Sequence, residues 1–207
     1  MKKLKQESDV KIMTRRGILF VISGPSGVGK GTIRNALLPL VDELKVSISA
    51  TTRKPRSSEG HAREYFFLTE DEFKELIDQG KFIEWANVYS NMYGTPREFV
   101  VKNLEQGQDV LLEIDIQGAF QVKKSMPEGV FIFIAPPTLD DLINRLCCRG
   151  QDSPESIAAR VAASEKEMSY MKEYDYVVIN DKLKDAVKKT EAIIIAERCK
   201  ISNLNMG

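Results

Sequence analysis

The sequence predicts an α/β fold: a five-stranded, mostly parallel sheet with helices on both faces. Short runs of apolar and β-branched residues alternate with capped, amphipathic stretches, as βαβ units require. In addition, a Gly-rich turn directly follows the first apolar run and opens a helical stretch, which is the setting of an anion-binding loop.

The elements follow in order. GILFVIS, residues 17–23, reads as a buried parallel strand, because a strand covered on both faces is continuously apolar. Residues 30–38 place Ile33, Leu37 and Leu38 at helical spacing. KVSISA supplies a second strand near 45–49, and REYFFL, near 63–68, an extended piece. TEDEFKELIDQG is a helix with a Thr69/Glu72 capping box and a Gly80 stop. TPREFVVKNLEQG follows the same grammar: Thr95 as cap, Pro96 at the first helical position, Gly107 as the stop. Further strands are QDVLLEID, VFIFIAPP and YDYVVIN. Helices run from Thr138, from Ser153–Pro154, and over 183–199. The five sheet strands fall near 17, 46, 110, 130 and 176, which leaves 50–100 as an insertion.

Composition narrows the function. Thirty basic residues balance thirty acidic ones, so bulk charge favours neither nucleic acid nor a membrane surface as partner. No apolar run approaches the ~20 residues of a membrane span, and the basic N-terminus lacks the apolar segment of a secretory signal. Cys147, Cys148 and Cys199 are odd in number and give no disulfide framework, and His61 is the single histidine. Reduced thiols and a cytoplasmic location are expected. Residues 1–16 read as a mobile extension, 17–200 as one domain and 201–207 as a tail.

Residues 24–32, GPSGVGKGT, carry the first chemistry. Gly24, Gly27 and Gly29 let the backbone wrap an anion with its N–H groups; Pro25, Ser26 and Val28 complete the turn, and Lys30 reaches the β- and γ-phosphates of a nucleotide. In many P-loop proteins the residue after the lysine is Ser or Thr and touches Mg²⁺. Here it is Gly31, with Thr32 one place late, so Mg²⁺ is expected to be held by nucleotide oxygens and water, with no direct protein ligand.

SATTRKPRSSEGHAREY, residues 49–65, carries the second. Arg53 and Arg56 flank Pro55, and two forked guanidiniums can clamp a phosphate. Composition alone is equally consistent with a solvated basic loop. Glu84 alone reads as a surface acid, Tyr65 and Tyr93 as half-buried aromatics, and Trp85 as core.

The chain resembles the guanylate kinases from about residue 17 to 197. The resemblance rests on GPSGVGKGT, TTRKPRSSEGHAREYFF, DEFKELIDQGKFIEWANVYSNMYGT, LLEIDIQGA, FIFIAPP, RLCCRGQDSPESIAARV and YDYVVIND. It implies a P-loop fold with a GMP-binding insertion near 49–98 and a small lid near 145–162. The implied activity is phosphoryl transfer from Mg-ATP to GMP and dGMP, in a monomer or homodimer. By position, Arg53, Arg56, Tyr65 and Tyr93 match phosphate-holding residues of the GMP site. Ser49, Glu84, Thr95 and Asp115 match positions that meet the base. Arg145, Arg149 and Arg160 match lid residues that face the ATP phosphates or adenine once the lid closes, and Asn180 matches a position near adenine. Glu113 stands where many relatives have Asp. GKGT also occurs in adenylate kinases, which keeps other nucleoside monophosphates open as acceptors. A non-catalytic binding module of the same family is the alternative of another class.

Overall fold

The computed structural model describes residues 13–55, 60–62, 65–88, 90–147 and 154–206, with only the backbone of 13–14, 154–160 and 205–206. In chain order the elements are β1 (Met13–Arg15), β2 (Leu19–Ser23), α1 (Lys30–Leu37), β3 (Leu44–Val46), β4 (Ala50–Thr51) and β5 (Phe66–Phe67). Next come α2 (Glu70–Asp78), β6 (Phe82–Val88), β7 (Asn91–Pro96), α3 (Arg97–Glu105) and β8 (Asp109–Glu113). The chain continues with α4 (Ile116–Ser125), β9 (Val130–Ala135), α5 (Leu139–Cys147), α6 (Pro154–Ser169), β10 (Tyr176–Ile179), α7 (Leu183–Arg198) and β11 (Leu204–Met206).

The main sheet has the order β10-β9-β2-β8-β3, and every pairing in it is parallel. Its central strand, β2, is buried at all five positions. Strand alternation divides the core into two layers. Phe20 and Ile22 pack with Ile33 and Leu37 of α1, Leu142 and Leu146 of α5, and Ile194 of α7. Leu19 and Val21 pack the other way, against Val100 and Leu104 of α3 and Val122 of α4. Helices thus cover both faces, as predicted.

Residues 50–96 build a second sheet of mixed direction, ordered β5-β4-β7-β6. It has its own core of Ala50, Phe73 and Phe82, with Trp85 packed against it. Helix α2 begins with the predicted capping box: the Glu72 N–H donates to Thr69 Oγ1, and the Thr69 N–H donates to the Glu72 carboxylate.

Two details differ from the sequence reading. Thr95 does not cap α3. It lies in β7, fully buried, and Pro96 takes the N-cap position. The Thr-Pro-x-Glu pattern imitates a cap, but the strand continues through it because the Thr95 hydroxyl has a partner across the hairpin. The second difference concerns the chain ends. Met13–Arg15 and Leu204–Met206, assigned to an extension and a tail, pair as antiparallel β1 and β11. Arg15 also reaches the buried carboxylate of Asp109 at the start of β8.

Candidate active site

Ligands of open α/β sheets bind beyond the carboxyl ends of the strands, where the strand order reverses. Here that point lies beyond β2, between β8 and β9, and residues 24–29 occupy it. Gly24 and Gly29 have φ of +142° and +98°, in the region that favours glycine. Space is limiting too: a Cβ at Gly24 would lie 2.2 Å from Ile134 O, and one at Gly29 2.6 Å from Asn180 Nδ2. Lys30 Nζ donates to Gly24 O at 2.5 Å and Pro25 O at 3.1 Å, so the lysine bends back across the turn.

Asn180 and Arg145 brace the loop from the far side. Asn180 Nδ2 donates to Val28 O at 2.8 Å, and Arg145 Nη2 donates to Asn180 O at 2.8 Å. The Asn180 amide is therefore committed to the loop backbone, a role the sequence did not indicate.

A cavity of about 480 Å³ opens in front of the loop. Gly24, Ser26 and Lys30 line it on the loop side, and Ser49, Tyr65, Glu84, Tyr93, Glu113 and Asp115 are among its other lining residues. The structure thus gathers residues from the loop, β8 and the insertion. Arg53 stacks behind Tyr65, its guanidinium carbon 5.5 Å from that ring's centroid, and Tyr65 meets Tyr93 edge-on at 5.9 Å. Thr32 is exposed on α1. Arg56 and Arg149 lie outside the described residues, as does the side chain of Arg160.

Glu84 is the unusual member. It is 5% exposed, so it is not the surface acid its sequence context permits. A bulge in the β6–β7 pairing between Phe82 and Glu84 explains the burial. The bulge breaks period-two alternation. Phe82 enters the insertion's core, Ile83 the core beneath α3 and α4, and Glu84 the cavity. Thr95 Oγ1 donates to Glu84 Oε1 at 2.6 Å. Burial, with a smaller push from Asp115, raises the Glu84 carboxyl to about 7. Asp115 caps α4, accepting from the Gly118 N–H at 2.7 Å.

Glu167, on α6, also lines the cavity and has no counterpart in the sequence reading. Burial raises its carboxyl, against the pull of Lys30 and of the Ser26 N–H. A glutamate in a charged helical stretch carries no local sign of this placement. Glu113 ion-pairs with Arg34, 2.8 Å from Oε2 to Nη1. A Cβ on Gly31 would stand 3.3 Å from Glu113 Oε1, so the longer acid reaches into space next to the glycine.

The sheet order, with the glycine loop after its central strand, places the protein among the P-loop kinases. The guanylate kinase family model matches residues 16–197, and the chain belongs to that family. The guanylate kinase of Syntrophomonas wolfei subsp. wolfei is 62% identical, over 94% of this chain and 100% of its own length. That of Caldanaerobacter subterraneus subsp. tengcongensis is 56% identical, over 90% and 91%. The crystal structure of guanylate kinase from Anaplasma phagocytophilum superposes with a TM-score of 0.78 at 32% identity, covering 93% of this chain and 92% of that one. No helix among the described residues is long and apolar enough to cross a membrane.

Proposed function

We propose that the protein transfers the γ-phosphoryl group of ATP to the phosphate of GMP or dGMP, giving ADP and the nucleoside diphosphate. The observation that carries this reading is the buried Glu84 carboxylate, set in the same cavity as the phosphate loop. Guanine offers N1–H and N2–H₂ as adjacent donors, which one carboxylate accepts as a fork. Adenine has an acceptor at N1 and no 2-amino group, so it would leave the carboxylate unpaired, and such sites discriminate strongly. Ser49, Thr95 and Asp115 complete the base end. Arg53, Arg56, Tyr65 and Tyr93 hold the GMP phosphate.

The reaction is a direct in-line displacement. A GMP phosphate oxygen attacks the γ-phosphorus as its bond to the β-bridging oxygen breaks. The transition state is loose, so positioning and charge neutralisation dominate and no general base is assigned. The loop N–H groups and Lys30 hold the ATP phosphates. Arg145, Arg149 and Arg160 add positive charge from the lid, and Asn180 keeps the loop in shape. Closure over the cavity excludes water and limits hydrolysis. The donors facing the cavity, Glu113 and Asp115, are hard oxygens that suit a hydrated Mg²⁺ arriving with the nucleotide. Bound there, Mg²⁺ would supply positive charge to offset that of the nucleotide phosphates.

A coupled assay offering GMP, dGMP, AMP, UMP and CMP, with and without Mg²⁺, tests the reading. GMP should exceed AMP in kcat/KM by at least about 100-fold. A preference for AMP would overturn it, and no turnover despite ATP binding would mark a non-catalytic binding module. Gly31→Ser should move the half-saturating Mg²⁺ concentration by less than about threefold, because the new hydroxyl lies within reach of Glu113. A tenfold tightening would show that Gly31 leaves the ion short of a ligand.

A further inference from the structure

Where helix α4 packs on β6, Gly118 and Gln121 lie one turn apart on the same helical face. A Cβ on Gly118 would lie 2.5 Å from Glu84 Oε2 and 3.1 Å from its carboxyl carbon. Gly118 has an ordinary helical backbone, so neither φ nor the turn requires glycine. What stands in the way of a side chain is the Glu84 carboxylate, which occupies the space a Cβ would take. Gln121 Nε2 donates to Trp85 O at 2.7 Å, and its Oε1 accepts from the Trp85 N–H at 3.2 Å. β6 is an edge strand. The Gln121 amide therefore serves the outward backbone of residue 85 as a neighbouring strand would.

We propose that Gly118 and Gln121 are positioning residues that set the location of the Glu84 carboxylate and thereby the choice of acceptor base. Thr95 bonds one carboxylate oxygen, the missing side chain of Gly118 leaves room for the other, and Gln121 fixes the next residue's backbone to the core. Glu84 is thus held from the main domain as well as from its own hairpin. The inference rests on the GMP reading above. Neither residue touches the reacting atoms, so their replacement should change recognition of the acceptor and not of ATP.

The test is Gly118→Ala and Gln121→Leu in the full-length protein, with KM for GMP and for ATP, the GMP-to-AMP ratio of kcat/KM, and the melting temperature. Carbon NMR of the Glu84 carboxyl, titrated without nucleotide, supplies a readout independent of turnover. Gly118→Ala should raise KM for GMP at least tenfold and leave KM for ATP within twofold. The GMP-to-AMP ratio should fall, and the Glu84 titration midpoint should move by at least half a pH unit. Alanine is the better helix former, so a glycine that plays no part in placing Glu84 would predict unchanged kinetics and equal or higher stability. Gln121→Leu keeps the bulk and removes both hydrogen bonds; KM for GMP should rise several-fold, which covers the case in which Gly118→Ala fails to fold. If folded variants keep wild-type KM for GMP, or lose ATP and GMP equally, the proposal is overturned. If the wild type does not prefer GMP but the Glu84 titration still moves in the variants, the positioning role stands and the GMP reading fails.

Discussion

Asp109→Ala should destabilise the protein by about 3 kcal/mol, the lower end of what breaking a buried ionic cluster costs. Asp109 is fully buried at the start of β8, at the opposite end of the strand from the cavity. Its Oδ1 accepts from the Ile18 N–H at 2.8 Å and from Arg15 Nη1. Its Oδ2 accepts from Arg198 Nε at 2.7 Å and from Arg15 Nη2 at 3.2 Å. One carboxylate thus joins β1, the entry to β2 and the end of α7. Alanine would take the shared carboxylate from both guanidiniums and leave Arg15, among the described residues, only the exposed carboxylate of Glu43, 3.7 Å away. Both arginines are partly exposed, at 17% and 22%, so water recovers some of the loss, and the lower end of the range applies. For a chain of this size the melting temperature should drop by about 6–12 °C. Asp109→Asn, which can still accept from Ile18, should fall in between. Below melting, KM values for both nucleotides should match the wild type, given the distance from the loop. A drop under about 2 °C would mean that desolvation of the three charges cancels their attraction.

Asp109 also shows where sequence reading stops. The sheet was legible because a parallel strand buried on both faces is continuously apolar, as LFVI, VLL and VFIFIA are at the centres of β2, β8 and β9. The loop was legible because its glycines are needed locally, by φ and by close backbone contact. Asp109 meets Arg15 and Arg198 across 94 and 89 residues of chain, and no local pattern marks such a meeting. The insertion's sheet was missed for a different reason. β4 and β5 are two residues each, and β6 carries a bulge, so period-two alternation has no room to develop. That bulge also sends Glu84 inward, where its sequence context alone reads as a surface acid. The resemblance to guanylate kinases supplied Glu84 as a candidate. Its burial, its Thr95 partner and the Gly118 wall come only from the folded chain.

Glu84→Gln should separate stability from function. Burial holds the Glu84 carboxyl near 7, above the ordinary value of 4.5. Between those two pH values the folded state binds more protons than the unfolded chain, so this group's contribution to stability falls as pH rises through the window. Above about pH 7 the buried charge costs its full penalty, on the order of 3 kcal/mol at about 1.4 kcal/mol per pH unit. Glutamine avoids the charge and still accepts from Thr95. The variant should therefore melt higher than the wild type at pH 8, by several degrees, and the gain should shrink towards zero at pH 5. Activity should move the other way. The amide presents a donor where guanine also presents donors, so kcat/KM for GMP should fall about 100-fold or more, with KM for ATP within twofold. Wild-type kcat/KM for GMP should decline below about pH 7 as Glu84 takes up a proton, and the variant should lack that limb. Lower stability at pH 8 with an unchanged KM for GMP would make Glu84 a brace for Thr95 and not a reader of the base. The opposite result would mean that the most costly charge in the cavity is kept because only an ionised carboxylate can select guanine.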